Sequence, residues 1–213
     1  MSNKKGDPRG NAQDRCVVAL LLIDVINDLE FEGADALLEP GLRAADRIAE
    51  LKRRAKEAGI PVIYVNDNFG KWRSDFKKLV SACIDQGTRG KPIVQRLLPE
   101  SDDYFVLKPK HSAFHATPLD LLLDFLGVRT LILVGLTVDN CILLTAGDAH
   151  MLDYQLVVPE DCVAAESKVR KEHALKILQQ TLKARTLPAN ELDLTSLLHE
   201  DAQPSSKSLA EVA

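Results

Sequence analysis

The sequence predicts an open α/β fold: a three-layer sandwich with a mostly parallel six-stranded sheet and helices on both faces. Three observations predict it. Short apolar runs alternate with stretches of helical periodicity along the chain. The first run, residues 16–23, is apolar throughout, as in a strand covered on both faces. Each later run is short and stops at a polar residue or a turn signal.

The elements follow in order. Residues 1–15 are polar, contain Gly6, Pro8 and Gly10, and read as a flexible arm. After the strand at 16–23, Pro40-Gly41 opens a helix that presents Ala44, Ile48, Leu51, Ala55 and Ala58 on one face, and Gly59 ends it. A second strand covers 61–65, two short helices fall within 74–98, and a third strand covers 104–107. Thr117 caps a helix with Pro118 in its first turn and Leu119, Leu122, Leu123 and Leu126 inside, stopped by Gly127. A strand at 130–134, a helix over 139–152, a strand at 155–158, a helix over 167–183 and a sixth strand at 184–187 complete the domain of residues 16–187. Residues 188–213 read as a mobile C-terminal tail in which leucines 192–198 have a chance to dock.

Composition narrows the function. A chain of 213 residues with 46% hydrophobic and 27% charged side chains is ordinary globular usage, which excludes wholesale disorder and disulfide scaffolds. A net charge of −4 without a clustered basic excess argues against nucleic acid. No apolar stretch approaches the roughly 20 residues that span a bilayer. Lys4, Lys5, Arg9 and Arg15 precede the first apolar run as in a signal peptide, but Asp24 ends that run and no small-residue cleavage site follows. Cys16, Cys83, Cys141 and Cys162 form no CxxC pair, so a reducing, cytoplasmic setting is expected.

In an open parallel sheet, ligands sit outside the carboxyl ends of the strands. Asp24, Asn66-Asp67-Asn68, Lys108 and the stretch 135–141 stand there. Singly, an Asp after a strand reads as a turn or cap, a Lys as a solvated ammonium, and a Cys beside Ile142-Leu143-Leu144 as a small buried hydrophobe. On one rim they form a set for acyl transfer. Cys141 falls near the first turn of a helix, where free N–H groups and a neighbouring Lys108 favour a thiolate, and Asp24 can take and return its proton. The backbone N–H groups of the 135–141 turn can hold an oxyanion.

These residues resemble the isochorismatase-like cysteine hydrolases. The resemblance rests on Asp24 in Leu-Leu-Ile-Asp-Val-Ile-Asn-Asp28 and on Lys108-Pro-Lys-His-Ser-Ala-Phe114. It continues in Gly135-Leu-Thr-Val-Asp-Asn-Cys141, Thr145-Ala-Gly-Asp-Ala149 and Val158-Pro-Glu-Asp-Cys-Val-Ala164. It implies the six-stranded parallel sheet, an Asp24–Lys108–Cys141 triad, hydrolysis of small amides, carbamoyl or ureido compounds, and a homo-oligomer, dimer or tetramer. It also implies a cis peptide at Leu136–Thr137 that aims the N–H of Thr137, with that of Cys141, at the oxyanion. The chain departs from the family's small residues at this turn, and the β-branched pair Thr137-Val138 is expected to narrow the pocket or strain the backbone.

Nicotinamidases of this family carry a metal site after the second strand, whereas residues 65–76 here contain no histidine, so no metal and no other cofactor is expected. His111 and His115 read as loop or pocket-lining residues. Phe31, Asn68, Phe69, Trp72 and Phe114 are the candidate substrate-binding residues, and Lys71 and Arg73 read either as solvated or as partners of a substrate carboxylate; packing against the sheet or a partner subunit is the competing role of Trp72 and Phe76. Other classes fit less well. A dinucleotide enzyme needs GxGxxG after the first strand, and none is there. A haloacid-dehalogenase-like phosphatase needs a second Asp where Ile26 stands, and the isochorismate-hydrolysing branch lacks the cysteine. The remaining alternative is a catalytically weak member kept as a binding or scaffold subunit. Partners are thus a small-molecule substrate and further copies of the chain, with neither nucleic acid nor membrane.

Overall fold

The computed structural model describes residues 15–68, 75–85 and 87–200. Its elements are β1 (Val18–Ile23), α1 (Ala34–Glu57), β2 (Val62–Asp67), α2 (Phe76–Asp85), α3 (Lys91–Arg96), β3 (Tyr104–Lys108), α4 (Leu119–Leu126), β4 (Thr130–Leu136), α5 (Leu143–Met151), β5 (Gln155–Val157), β6 (Val163–Ala164), α6 (Lys168–Gln180) and α7 (Leu194–Glu200). All strands run parallel in the order β3-β2-β1-β4-β5, with β6 also pairing with β4. The chain winds outward from β1 in both directions, so the strand order reverses between β1 and β4. A crevice opens at that point, at the carboxyl ends of the strands.

The period of two along β1 divides the core. Val18, Leu20 and Leu22 face a cluster with α1, α3 and the segment after residue 188, whereas Ala19, Leu21 and Ile23 face α4, α5 and α6. Because both faces are covered, β1 has no exposed residue and reads as a continuous apolar run.

The structure alters three boundaries. Helix α1 begins at Ala34, six residues before the Pro40 taken as its start, because Ala34, Leu37 and Gly41 continue the buried stripe of Ala44, Ile48 and Leu51. Burial of that stripe outweighs the hydrogen bond that Pro40 cannot donate. Gly41 allows close packing there, since a Cβ would meet Ile93 at 2.8 Å. The sixth strand is Val163–Ala164, not 184–187, which contributes a single parallel bridge, Val157 to Arg185.

The third change is at the C-terminus. Ala189, Leu192, Leu194 and Leu197 are buried in the α1-side core, although 188–213 reads as a tail. The Arg54 guanidinium donates to the Ala189 and Leu192 carbonyls, both at 2.6 Å, and Asp161 accepts from the Ala189 N–H. The folded body therefore extends to residue 200. The arm at 1–14 and residues 201–213 lie outside the described residues. Among the described residues no helix is long and apolar enough to cross a membrane.

Candidate active site

Three strand ends bring Asp24, Lys108 and Cys141 together. Asp24 directly follows β1 in the left-handed region, φ 52°, a conformation that Asp tolerates better than most residues. Its N–H donates to the Val65 carbonyl at 2.9 Å, and its Oδ1 accepts from the Asp67 N–H at 2.7 Å, so the carboxylate is fixed against the end of β2. Lys108 is the last residue of β3, paired in register with Asp67. Its side chain is fully buried and crosses beneath β2 to put Nζ 2.9 Å from Asp24 Oδ2 and 3.6 Å from Cys141 Sγ.

Gly135, in register with Ile23 and at φ 122°, permits the close approach of β4, because a Cβ there would lie 2.0 Å from the Ile23 carbonyl oxygen. The next peptide bond but one, Leu136–Thr137, is cis. The Thr137 carbonyl then accepts from the N–H groups of Asn140 and Ile142, both at 3.2 Å, in a widened turn over Val138–Ile142 that carries Cys141 into α5. Val138 is wholly buried in the core facing α4–α6. Of the β-branched pair expected to narrow the pocket or strain the backbone, Val138 thus packs inward, whereas Thr137 is half-buried.

Electrostatics differ from the sequence reading. Burial, and then the negative charge of Asp24, push the Cys141 thiol up to about 12 against the opposing pull of Lys108. The turn at Cys141 is a wide one ahead of the α-helix proper, and an acid shares the site. The sequence reading took Asp24 as the acceptor of the thiol proton, without its charge as a force against the thiolate. Burial also raises the Asp24 carboxyl, against Lys108, the thiol and the Asp67 N–H. Burial disfavours the Lys108 ammonium as well, but Asp24 and Cys141 outweigh it and hold its pKa up. One ammonium therefore faces two acids that compete for a single negative charge. Burial and Asp24 thus favour the thiol form of Cys141, beside a carboxyl whose basicity burial raises.

On the exposed side, His111 Nδ1 lies 3.8 Å from Sγ. The loop that carries it is fastened to α5 at the next two residues. Ser112 Oγ donates to Asp148 Oδ2 at 2.5 Å, and the Ala113 N–H donates to Thr145 Oγ1 at 3.0 Å. Thr145 and Asp148 follow Cys141 by four and seven residues, the spacing that keeps side chains on one helix face. Sequence reasoning quoted this motif without giving these residues a task; the spacing was the available signal.

The candidate substrate-binding residues are less unified. The Asn68 N–H donates to the Lys108 carbonyl at 3.0 Å, Phe114 packs on Tyr154 with ring centroids 5.9 Å apart, and Phe31 is exposed on the turn before α1. Phe69, Lys71, Trp72 and Arg73 lie outside the described residues. Phe76 stacks on Phe105 of edge strand β3 and contacts Tyr64, a packing role. Among the described residues no three His, Cys, Asp or Glu side chains gather as a metal cage.

Known proteins share this architecture. The family profile described as the isochorismatase domain matches residues 18–191. An uncharacterized isochorismatase family protein of Bacillus subtilis is 39% identical over 164 residues, which cover 77% of this chain and 90% of that protein. A probable inactive nicotinamidase of Arabidopsis thaliana is 31% identical over 180 residues, 79% of this chain and 92% of its own. The solved structure of N-carbamoylsarcosine amidase from Thermoplasma acidophilum covers 83% of this chain and 98% of its own with a TM-score of 0.65; at 24% identity it shows the shared fold alone. With the profile spanning most of its length, the chain belongs to the isochorismatase family, which includes amidohydrolases acting on non-peptide C–N bonds.

Proposed function

We propose that this protein is a cysteine hydrolase that cleaves a small amide, carbamoyl or ureido C–N bond through a thioester on Cys141. Asp24 takes the thiol proton as Sγ attacks the carbonyl carbon, and Lys108 stabilises the negative charge that moves from carboxylate to sulfur and back. The N–H groups of Thr137 and Cys141 receive the oxyanion. Collapse of the tetrahedral intermediate breaks the C–N bond, Asp24 returns its proton to the departing amine, and water hydrolyses the thioester. The observation that carries the reading is the continuous contact from Asp24 Oδ2 to Lys108 Nζ, 2.9 Å, and on to Cys141 Sγ, 3.6 Å, at the crevice of the sheet. A base strengthened by burial, beside a thiol that stays protonated at rest, supplies the acid–base exchange this cycle needs. The same reading carries a homo-oligomer, dimer or tetramer, working without a metal in a reducing cytoplasm.

The competing reading is a binding or scaffold subunit with little turnover. The printed name of the Arabidopsis thaliana relative, a probable inactive nicotinamidase, is what favours it. A turnover screen across carboxamide and carbamoyl compounds, with mass spectrometry of Cys141, separates the two. The hydrolase reading expects an acyl adduct on Cys141 and loss of turnover by at least about a thousandfold in Cys141→Ser or Cys141→Ala. Turnover retained in Cys141→Ala refutes it.

A further inference from the structure

We infer that Arg170 is a positioning residue for the oxyanion hole, acting through Asp139 in the turn that carries Cys141, a role that rests on the hydrolase reading above. Asp139 stands two residues before the nucleophile, inside the turn over Val138–Ile142. Its side chain is only 12% exposed. A carboxylate at that depth is costly unless an opposite charge and hydrogen bonds answer it. Oδ2 accepts from Arg170 Nε at 2.5 Å, while Oδ1 is buried and has no hydrogen bond among the described residues. Among those residues Arg170 is thus the one group that bonds this side chain.

Arg170 is itself held in place. It lies in the first turn of α6, where the capping Ser167 accepts the Arg170 N–H on Oγ at 3.3 Å. Its guanidinium also donates from Nη1 to Glu166 Oε2. Just upstream, Val163 and Ala164 of β6 pair with Gly135 and Leu136 at the end of β4. One short stretch, residues 163–170, therefore grips the oxyanion turn twice: by strand pairing before Thr137 and by an ion pair at Asp139. Val138 is anchored separately, in the core facing α4–α6, which leaves the Asp139 carboxylate as the polar tie of the turn.

The Cys141 N–H lies two residues beyond that tie. Without the guanidinium, Asp139 keeps its charge and recovers solvation only by drawing the turn toward water. That movement carries the N–H donors away from the carbonyl oxygen that must settle on them. A misplacement of about 1 Å costs on the order of a hundredfold in rate. The thiol feels little of this, because its proton is governed by burial, Asp24 and Lys108, and both of those side chains come from other strand ends. Arg170 is also half exposed, so its replacement opens no hole in the core.

Two reagents test this on the full chain without knowledge of the natural substrate. 4-Nitrophenyl acetate acylates Cys141 through a tetrahedral oxyanion and releases a burst of nitrophenolate. Iodoacetamide alkylates the same sulfur by displacement at a saturated carbon and forms no oxyanion. In Arg170→Met the burst should slow by about 10- to 100-fold, while alkylation of Cys141, followed by mass spectrometry, stays within about twofold at each pH. Asp139→Ala should show the same split, and the double variant should be no slower than the slower single one, because the two residues act as a unit. Arg170→Lys, which keeps a cation beside Asp139, should lose less than Arg170→Met. Burst and alkylation that slow together, no slowing of either, an Arg170→Lys as slow as Arg170→Met, or losses that multiply in the double variant overturn the inference and leave the thioester reading intact. A wild-type protein without a burst, or a burst that survives in Cys141→Ala, instead overturns the thioester reading itself, and the role of Arg170 with it.

Discussion

Strand β3 has a buried lysine–aspartate pair at each end. At its start Lys52 donates from Nζ to Asp103 Oδ2 at 2.7 Å, Tyr64 Oη at 3.1 Å and the Leu98 carbonyl at 3.1 Å, so three oxygens answer its three N–H bonds. At its end Lys108 has one close oxygen, Asp24 Oδ2 at 2.9 Å, with the Cys141 sulfur at 3.6 Å and Asp67 Oδ2 at 3.9 Å. Both ammonium groups are nearly or wholly buried. What separates them is saturation. A fully answered lysine locks the β2–β3 corner, whereas one with a weak sulfur contact can follow charge as it moves between carboxylate and thiolate.

Substituting the two lysines should break the symmetry in the largest way. Lys108→Met should cut the rate at which 4-nitrophenyl acetate acylates Cys141, read as the nitrophenolate burst, by about 100- to 1,000-fold, the scale of a lost electrostatic stabiliser. Lys52→Met should leave that rate unchanged per folded molecule and cost about 3 kcal/mol in urea unfolding, because it strands the Asp103 carboxylate. Lys56, whose Nζ also reaches Asp103 at 3.1 Å, limits that loss. Equal slowing in both variants would mean the two pairs do the same job.

Alkaline pH sharpens the contrast. The Cys141 thiol is raised from 9.0 to about 12 in the folded protein, so the unfolded chain releases its proton first. Its contribution to stability is complete below pH 9 and lost as pH climbs toward 12. At the other end of β3, Tyr64 is raised from 10.0 by burial, then by Asp103 and Glu100, so its contribution starts to fade only above pH 10. Urea midpoints measured up the alkaline range should therefore fall in two overlapping stages, with Cys141→Ala flattening the earlier and Tyr64→Phe the later. Cys16 and Cys162, also raised by burial, leave a residual slope. The same shift predicts slow iodoacetamide labelling of Cys141 at neutral pH that accelerates as the medium becomes alkaline.

The smallest effect concerns a clamp of a different kind. Arg54→Ala removes two hydrogen bonds to the Ala189 and Leu192 carbonyls and should cost about 1–3 kcal/mol, with amide exchange accelerated over residues 189–197 and catalysis untouched.

What the sequence showed best was that Asp24, Lys108 and Cys141 meet on one rim of the sheet, and the reason is physical. A strand covered on both faces admits polar side chains chiefly at its ends, so the first charge after an apolar run marks the rim of the sheet. The remainder obeyed no local period. Val163–Ala164 is too short for alternation to register, and Leu192, Leu194 and Leu197 stand among polar residues whose burial depends on α1, far away in the chain. Pro40 looked like a helix start because a proline's local preference is visible, while the buried stripe that overrides it is a tertiary effect. The protonation of Cys141 was equally hidden, being set by depth and by the distance to Asp24.

The pairing of β1 with β4 has a consequence during synthesis. The central strand is made first, yet its partner on one side, which aligns Thr130 with Val18, emerges more than a hundred residues later. At ribosomal speeds of about 5–20 residues per second, one edge of the most apolar segment in the chain waits for roughly 5 to 20 s. The β1–β2–β3 half can gather on the other edge meanwhile, but Cys141, which follows β4, is the last of the three strand-end residues to arrive. The protein is thus exposed to misassociation at the stage when Asp24 and Lys108 have been made and Cys141 has not.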